Sequence, residues 1–290
     1  MGGIRVIPNN PERKGMLDLR TEIPFSGSLA LQMIKPFWKS KGGFPLVVFI
    51  QGSAWTKPNQ FWEIPQLSRL ARRGFVVASV THRSAFEAPA PAFLKDVKTA
   101  IRFLRAHAEE YDVNPNRVCA WGTSSGGNTA LLIGLTGDDP AFETDEWAGQ
   151  STRVQAVVDC FGPTDLMKMA EVQYRDVKID ETNVFAALGG ALDKVKTHSR
   201  AEICDLIRER LEEISPIRYV RPGLDLPPFL MLHGDADPVV LFEDSEAMYH
   251  KLVDCGYDAS LVRVTNAEHE GTFWSEELDE MVFDFIEERI

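Results

Sequence analysis

Trp121-Gly122-Thr123-Ser124-Ser125-Gly126-Gly127 is the stretch on which the reading of this chain turns. An apolar run, Arg117–Trp121, leads into it, and a helical pattern, Asn128–Leu135, leaves it. G-x-S-x-G between a strand and a helix describes a very tight turn, in which side chains at the glycines would strike the neighbouring strand and helix. Such a turn lifts its apical serine, here Ser124, clear of the strand end. The next residue, Ser125, then offers a backbone N–H at a helix N-terminus, where positive potential gathers. The competing reading is a glycine-rich turn with a capping serine.

A hydroxyl at its ordinary pKa is a weak nucleophile and needs an adjacent base. The chain order that accompanies this turn is serine, then a carboxylate, then histidine. Downstream, the strand-like run Pro228–His233 ends in Gly234-Asp235-Ala236-Asp237-Pro238-Val239. Asp237 is the candidate for orienting an imidazole, with Asp235 as the alternative, since Asp235 is close enough to the strand to bond loop N–H groups. The run Ala259–Val264 is followed by Asn266-Ala267-Glu268-His269-Glu270-Gly271, which makes His269 the candidate base. Among the other histidines, His107 and His250 fall on helical patterns as surface or packing residues. His198 reads as surface, His233 as a support for the acid loop, and His82 as a residue that can line a pocket.

A third element is Phe49-Ile50-Gln51-Gly52-Ser53-Ala54-Trp55, which follows another apolar run. Small residues there let backbone N–H groups approach a developing alkoxide, a contact worth about 3–4 kcal/mol of transition-state stabilisation per donor. Ser53 or Ala54, together with Ser125, are the candidate donors. Trp55 is placed to wall a pocket.

Working outward, eight runs of strand length alternate with helical patterns. The runs are Leu17–Phe25, Leu29–Pro36, Pro45–Ile50, Phe75–Val80, Arg117–Trp121, Val154–Cys160, Pro228–His233 and Ala259–Val264. The first two alternate in period two and read as an antiparallel pair. The continuous apolar runs suit strands covered on both faces. Helical patterns fall at Ile64–Arg73, Phe93–Glu110, Asn128–Leu135, Glu243–Cys255 and Ser275–Glu288. The alternation predicts an α/β fold: one domain over residues 1–290, with a mostly parallel eight-stranded sheet and helices on both faces. The stretch Met167–Val220 breaks the rhythm. It contains a charged helical pattern, Glu202–Glu213, and reads as a cap or lid insertion over the strand ends.

The 290 residues are 44% hydrophobic and 26% charged, which is enough apolar content for a full core. The net charge of −12 repels phosphate backbones and anionic lipid surfaces, so neither nucleic acid nor a membrane surface is an expected partner. No run approaches the roughly 18 apolar residues of a membrane span. The polar segment Met1–Arg20 lacks the apolar stretch of a secretion signal, and a cytoplasmic protein is the expectation. The cysteines Cys119, Cys160, Cys204 and Cys255 are far apart without a CxxC pair, so buried free thiols are expected.

These motifs resemble the bifunctional feruloyl and acetylxylan esterase group of the α/β-hydrolase fold, near the hormone-sensitive-lipase-like esterases. The matching pieces are Asp96–Arg105, Trp121–Asn128, Thr136–Pro140, Val154–Asp165, Ser215-Pro216-Ile217 and His233–Val239. Two places depart from the group's pattern. Gln51-Gly52-Ser53 stands where His-Gly-Gly is usual, and Glu268-His269-Glu270 where Gly-His-Gly is usual. Two carboxylates close to the base would favour its protonated form. The resemblance implies hydrolysis of carboxylic esters through an acyl-enzyme on Ser124, with His269 and Asp237, and with no metal or organic cofactor. It implies short acyl groups, acetyl or feruloyl, on saccharides or similar small esters, with Trp55, Phe161 and Trp274 suited to a sugar or aromatic ring. An amidase such as an aryl-formamidase, or a peptidase, would use the same triad. A ligand-binding protein on the same scaffold is the non-enzymatic alternative. The oligomeric state is not legible.

Overall fold

The computed structural model describes residues 4–290, so the first three residues of the Met1–Arg20 segment lie outside the described residues. The strands are β1 (Leu17–Ser26), β2 (Leu29–Pro36), β3 (Phe44–Ile50), β4 (Val76–Val80), β5 (Val113–Thr123), β6 (Ala156–Cys160), β7 (Phe229–Gly234) and β8 (Ala259–Val264). They form an eight-stranded sheet in the order β1-β2-β4-β3-β5-β6-β7-β8. β1 and β2 are antiparallel, as is β2 against β4, and every pair from β4 through β8 is parallel. β3, β4, β6 and β7 are buried along their whole length, as their largely apolar sequences favour.

Helices α1 (Ile64–Arg72), α2 (Ala92–Ala106), α3 (Ser125–Thr136), α4 (Val184–Leu188), α5 (Arg200–Glu213), α6 (Phe242–Asp254) and α7 (Glu276–Arg289) surround the sheet. α1 and α7 cover one face, where Leu67, Leu70, Val282 and Phe283 pack on Val47, Phe49, Trp121 and Val158. α2, α3 and α6 cover the other face. The insertion does not build a separate core. Phe185, Leu188, Ile203, Ile207 and Leu211 of α4 and α5 belong to the same apolar cluster as α2 and α3. Its longest helix, α5, opens with a capping box between Ser199 and Glu202, a local signal strong enough to fix its start.

α2 differs from its sequence pattern. It stops at His107 rather than reaching Glu110, and a short helical turn, Ala108–Tyr111, follows. The side opposite its apolar stripe is buried too, because residues 137–153 wrap over it. Lys98 donates to the Gly137 carbonyl at 2.6 Å, and Arg105 donates to the carbonyls of Ser151 and Arg153. Arg102, 2% exposed, bonds the carbonyls of Thr144, Glu146 and Trp147 and pairs with Glu143. Breaking a buried charged network by removing one partner costs about 3–5 kcal/mol. Arg102→Met is therefore expected to lower unfolding stability by about 3 kcal/mol in urea titrations.

Glu63 ends the loop before α1 and is buried beside Glu270 and Asp279. Burial, with those two carboxylates, pushes its carboxyl up from an ordinary 4.5 to about 7. The unfolded chain releases this proton at the lower value. Between the two values the native state holds the extra proton, so stability falls as the pH rises. Glu63→Gln is neutral at every pH. It is expected to flatten the decline of the thermal midpoint between about pH 5 and pH 7, measured by calorimetry across that range.

Candidate active site

Ser124 sits at φ 53° and ψ −124°, a backbone form that carries about 1–3 kcal/mol of strain in a residue with a side chain. Its neighbours hold it there. Ser124 N–H donates to the Cys160 carbonyl at 2.8 Å, and Asn128 N–H donates to the Ser124 carbonyl at 3.0 Å. The two motif glycines allow the crossing. A Cβ at Gly122 would meet the Gly126 carbonyl oxygen at 2.0 Å, and a Cβ at Gly126 would meet that of Ile50 at 1.9 Å. Gly127, beyond the motif, is needed as well, because a Cβ there would stand 2.2 Å from Asp159 Oδ1.

The structure brings Ser124, His269 and Asp237 together. His269 Nε2 lies 3.0 Å from Ser124 Oγ, and His269 Nδ1 lies 2.6 Å from Asp237 Oδ2. A carboxylate only accepts hydrogen bonds, so the imidazole proton belongs on Nδ1 and Nε2 is free to accept from the serine hydroxyl. Asp237 is buried. Burial alone would raise its pKa. Hydrogen bonds from His233, His269 and the Val240 N–H outweigh that and hold it well below the usual carboxylate range. Val239 N–H and Val240 N–H donate to its Oδ1 at 2.8 and 3.0 Å.

His233 supports this acid, as its position at the end of β7 suggests. Its Nε2 faces Asp237 Oδ2 at 3.2 Å and the Val240 carbonyl at 2.9 Å, both acceptors, so Nε2 carries the proton. Nδ1 then accepts from Ser245 Oγ at 2.7 Å. Asp235, the alternative acid, lies elsewhere. It accepts from Arg263 Nε at 2.9 Å and Asn266 N–H at 2.6 Å, which fastens the acid loop to the base loop. Neither Glu268 nor Glu270 bonds the imidazole, whose two nitrogens face Ser124 and Asp237.

Of the candidate oxyanion donors, Ser53 is corrected. Its N–H is already donated to Ser125 Oγ at 2.9 Å, and the Gly52 N–H to Thr123 Oγ1 at 2.8 Å. Among the described residues the N–H groups of Ala54 and Ser125 have no protein acceptor. Both residues line a cavity of about 250 Å³ that opens on Ser124. Trp55 lines it too, as expected. Phe161 and Trp274 do not. Phe161 is fully buried and stands edge-on to the His269 ring at 4.6 Å, where it fixes the base rather than meeting substrate. Trp274 stands edge-on to Phe161 and Phe273 and borders a small void with Glu63 and Asp279. His82 is buried against Phe93, its Nδ1 2.8 Å from the Arg83 carbonyl, away from the cavity.

Most of the cavity wall comes from the insertion. Met169, Tyr174, Val177, Val184 and Phe185 face Val239 and Val240 of the acid loop across it. No sequence signal singled these residues out, because their meeting depends on how the insertion folds back. Among the described residues, no group of three His, Cys, Asp or Glu side chains is arranged to hold a metal ion.

The sequence pattern of the BD-FAE family matches residues 31–252. Esterase LipC of Mycobacterium tuberculosis is 31% identical over 209 residues, which are 72% of this chain and 48% of LipC. The chain spans about half the length of the curated relatives it matches. Among solved structures, a truncated form of a carbohydrate esterase from gut microbiota superposes with a TM-score of 0.78 at 27% identity. That alignment covers 97% of this chain and 98% of the other. A bifunctional GH43-CE protein of Bacteroides eggerthii superposes with a TM-score of 0.77 at 28% identity, covering 95% of this chain and 38% of its own. With an α/β-hydrolase sheet, a serine at the apex of its nucleophile turn and a family pattern running across most of its length, this chain belongs to the BD-FAE family.

Proposed function

We propose that this protein is a serine carboxylic ester hydrolase. The observation that carries the reading is the unbroken line Ser124 Oγ–His269 Nε2–Asp237 Oδ2, opening into an apolar cavity. Ser124 Oγ attacks the ester carbonyl carbon while its proton passes to His269 Nε2. The C–O bond to the alcohol breaks as that proton is delivered to the leaving oxygen. Water then attacks the acyl-Ser124 ester, giving its proton to His269, and the acid departs as Ser124 is restored. The imidazolium formed on the way is stabilised by the buried Asp237 carboxylate. No step needs a metal or an organic cofactor.

Substrate size follows from the cavity. An apolar cavity of about 150 Å³ holds a benzene ring, so one of about 250 Å³ suits a short alkyl or a compact aromatic acyl group. Acetyl and feruloyl esters of saccharides fall in that class, and the likeness to a carbohydrate esterase favours a sugar as the alcohol part. In this reading residues 167–220 act as the cap that excludes water from the acyl group.

Hydrolysis of p-nitrophenyl acetate tests the assignment. Ser124→Ala is expected to lower kcat by about 10⁵–10⁶-fold, and Asp237→Asn by about 10⁴-fold through loss of the correct imidazole tautomer. Equal turnover in wild type and Ser124→Ala, or cleavage of the matching anilide faster than of the ester, would overturn it. Acyl length is a separate measurement. Phe185→Ala enlarges the cavity wall, and each additional buried CH₂ is worth about 0.8 kcal/mol. With about two of the four added CH₂ groups newly buried, the preference for p-nitrophenyl hexanoate over acetate is expected to rise about tenfold in kcat/KM.

A further inference from the structure

The loop that carries Ala54 is fastened to the nucleophile turn by the hydroxyls on either side of Ser124. Gly52 N–H donates to Thr123 Oγ1 at 2.8 Å, and Ser53 N–H donates to Ser125 Oγ at 2.9 Å. The two segments are in close contact, since a Cβ at Gly52 would stand 2.7 Å from Ser124 Cβ. The far side of the loop is tied to itself: Ser53 Oγ donates to the Thr56 carbonyl at 2.8 Å and Thr56 Oγ1 to the Ser53 carbonyl at 2.6 Å. Gln51 takes no part at the serine, because its Oε1 accepts from Asn59 N–H at 2.6 Å. Between these ties Ala54 and Trp55 sit at φ 49° and 55°, two successive residues in a strained turn of the kind that gathers N–H groups toward an anion.

We propose that Thr123 and Ser125 are positioning residues for the oxyanion hole. Their hydroxyls hold Gly52 and Ser53 by the N–H and so aim the Ala54 N–H, paired with the Ser125 N–H, at the oxygen of the acyl group on Ser124. Ser125 then serves twice, its backbone toward the oxyanion and its side chain toward the loop. The inference rests on the ester-hydrolase reading to the extent that an oxyanion forms at Ser124. A hydroxyl suits the task because it accepts an N–H in a site too crowded for a larger acceptor. Without it, the Ser53 N–H loses its partner and the strained turn is free to relax. A displacement of 1 Å in such a site costs about 10²-fold in rate. The loss falls on the transition state, where the oxyanion is fully charged, and leaves ground-state binding alone.

The test compares Thr123→Val, Thr123→Ser, Ser125→Ala and the Thr123→Val/Ser125→Ala double variant, each checked for an intact thermal midpoint. Two rates are read: kcat and KM for p-nitrophenyl acetate, and the rate of covalent labelling of Ser124 by a fluorophosphonate, which also places charge on an oxygen in the hole. Thr123→Val and Ser125→Ala are expected to lose about tenfold in kcat and in labelling rate, the double variant about 100-fold, with KM changed by less than about twofold. Thr123→Ser, which keeps the hydroxyl, is expected to rescue the Thr123→Val loss. Wild-type kcat and labelling in Thr123→Val and Ser125→Ala, or a Thr123→Ser as slow as Thr123→Val, would overturn the inference. If wild type labels at Ser124 yet hydrolyses no ester, the substrate reading fails on its own and the labelling rates alone decide the clamp.

Discussion

The crossing of the nucleophile turn over β3 is the constraint on which the rest of this molecule depends. Ser124 is held at positive φ because the Gly126 backbone passes so close to the Ile50 carbonyl that no side chain fits between them. That contact brings the end of β3, with the loop of residues 51–55, against the start of α3. It sets where the Ser125 N–H points and fixes the one position from which a base loop after β8 and an acid loop after β7 can both reach the serine. The parallel sheet supplies these loops at a common edge because every strand from β3 to β8 runs the same way. Strain at the turn is tolerable only because the sheet around it is buried on both faces and cannot relax.

Electrostatics follow the same plan of enclosure. Asp237 remains ionised in a buried place because four hydrogen-bond donors converge on it, from two imidazoles and two backbone amides. His233 fixes the acid, the acid fixes the tautomer of His269, and Phe161 holds the ring edge-on. Each group in the chain is oriented by the next one inward, so the reactive geometry exists before substrate arrives.

Much of this was legible in the sequence. The eight strands, the apex serine, the choice of Asp237 over Asp235 and the support from His233 all follow from local signals: apolar runs, a glycine turn and the position of each loop after its strand. The reading stopped where residues far apart in the chain meet. Phe161 and Trp274 are expected from the sequence to meet a sugar or aromatic ring, but a positive φ at Phe161 turns its ring inward, and only the packed structure shows that. By its place in the chain the Ser53 N–H is a candidate oxyanion donor beside that of Ala54, but the hydroxyl of Ser125 occupies it. The buried charged side of α2 is not legible for a similar reason: periodicity sees one helix at a time, and the partner is a loop 42 residues on.

The insertion shares its apolar side chains with the main core, and this bears on how substrate comes and goes. A wall that is also core cannot swing aside as a hinged door, since lifting α4 would unpack Phe185 from the cluster beneath and Gly189 from Ile207. The parts of the wall with freedom to yield are the exposed side chains of the loop before α4, Val177, Lys178 and Thr182. These side chains are the part of the wall that can rotate without unpacking the core. The wall is a soft rim of exposed side chains standing on a fixed apolar base.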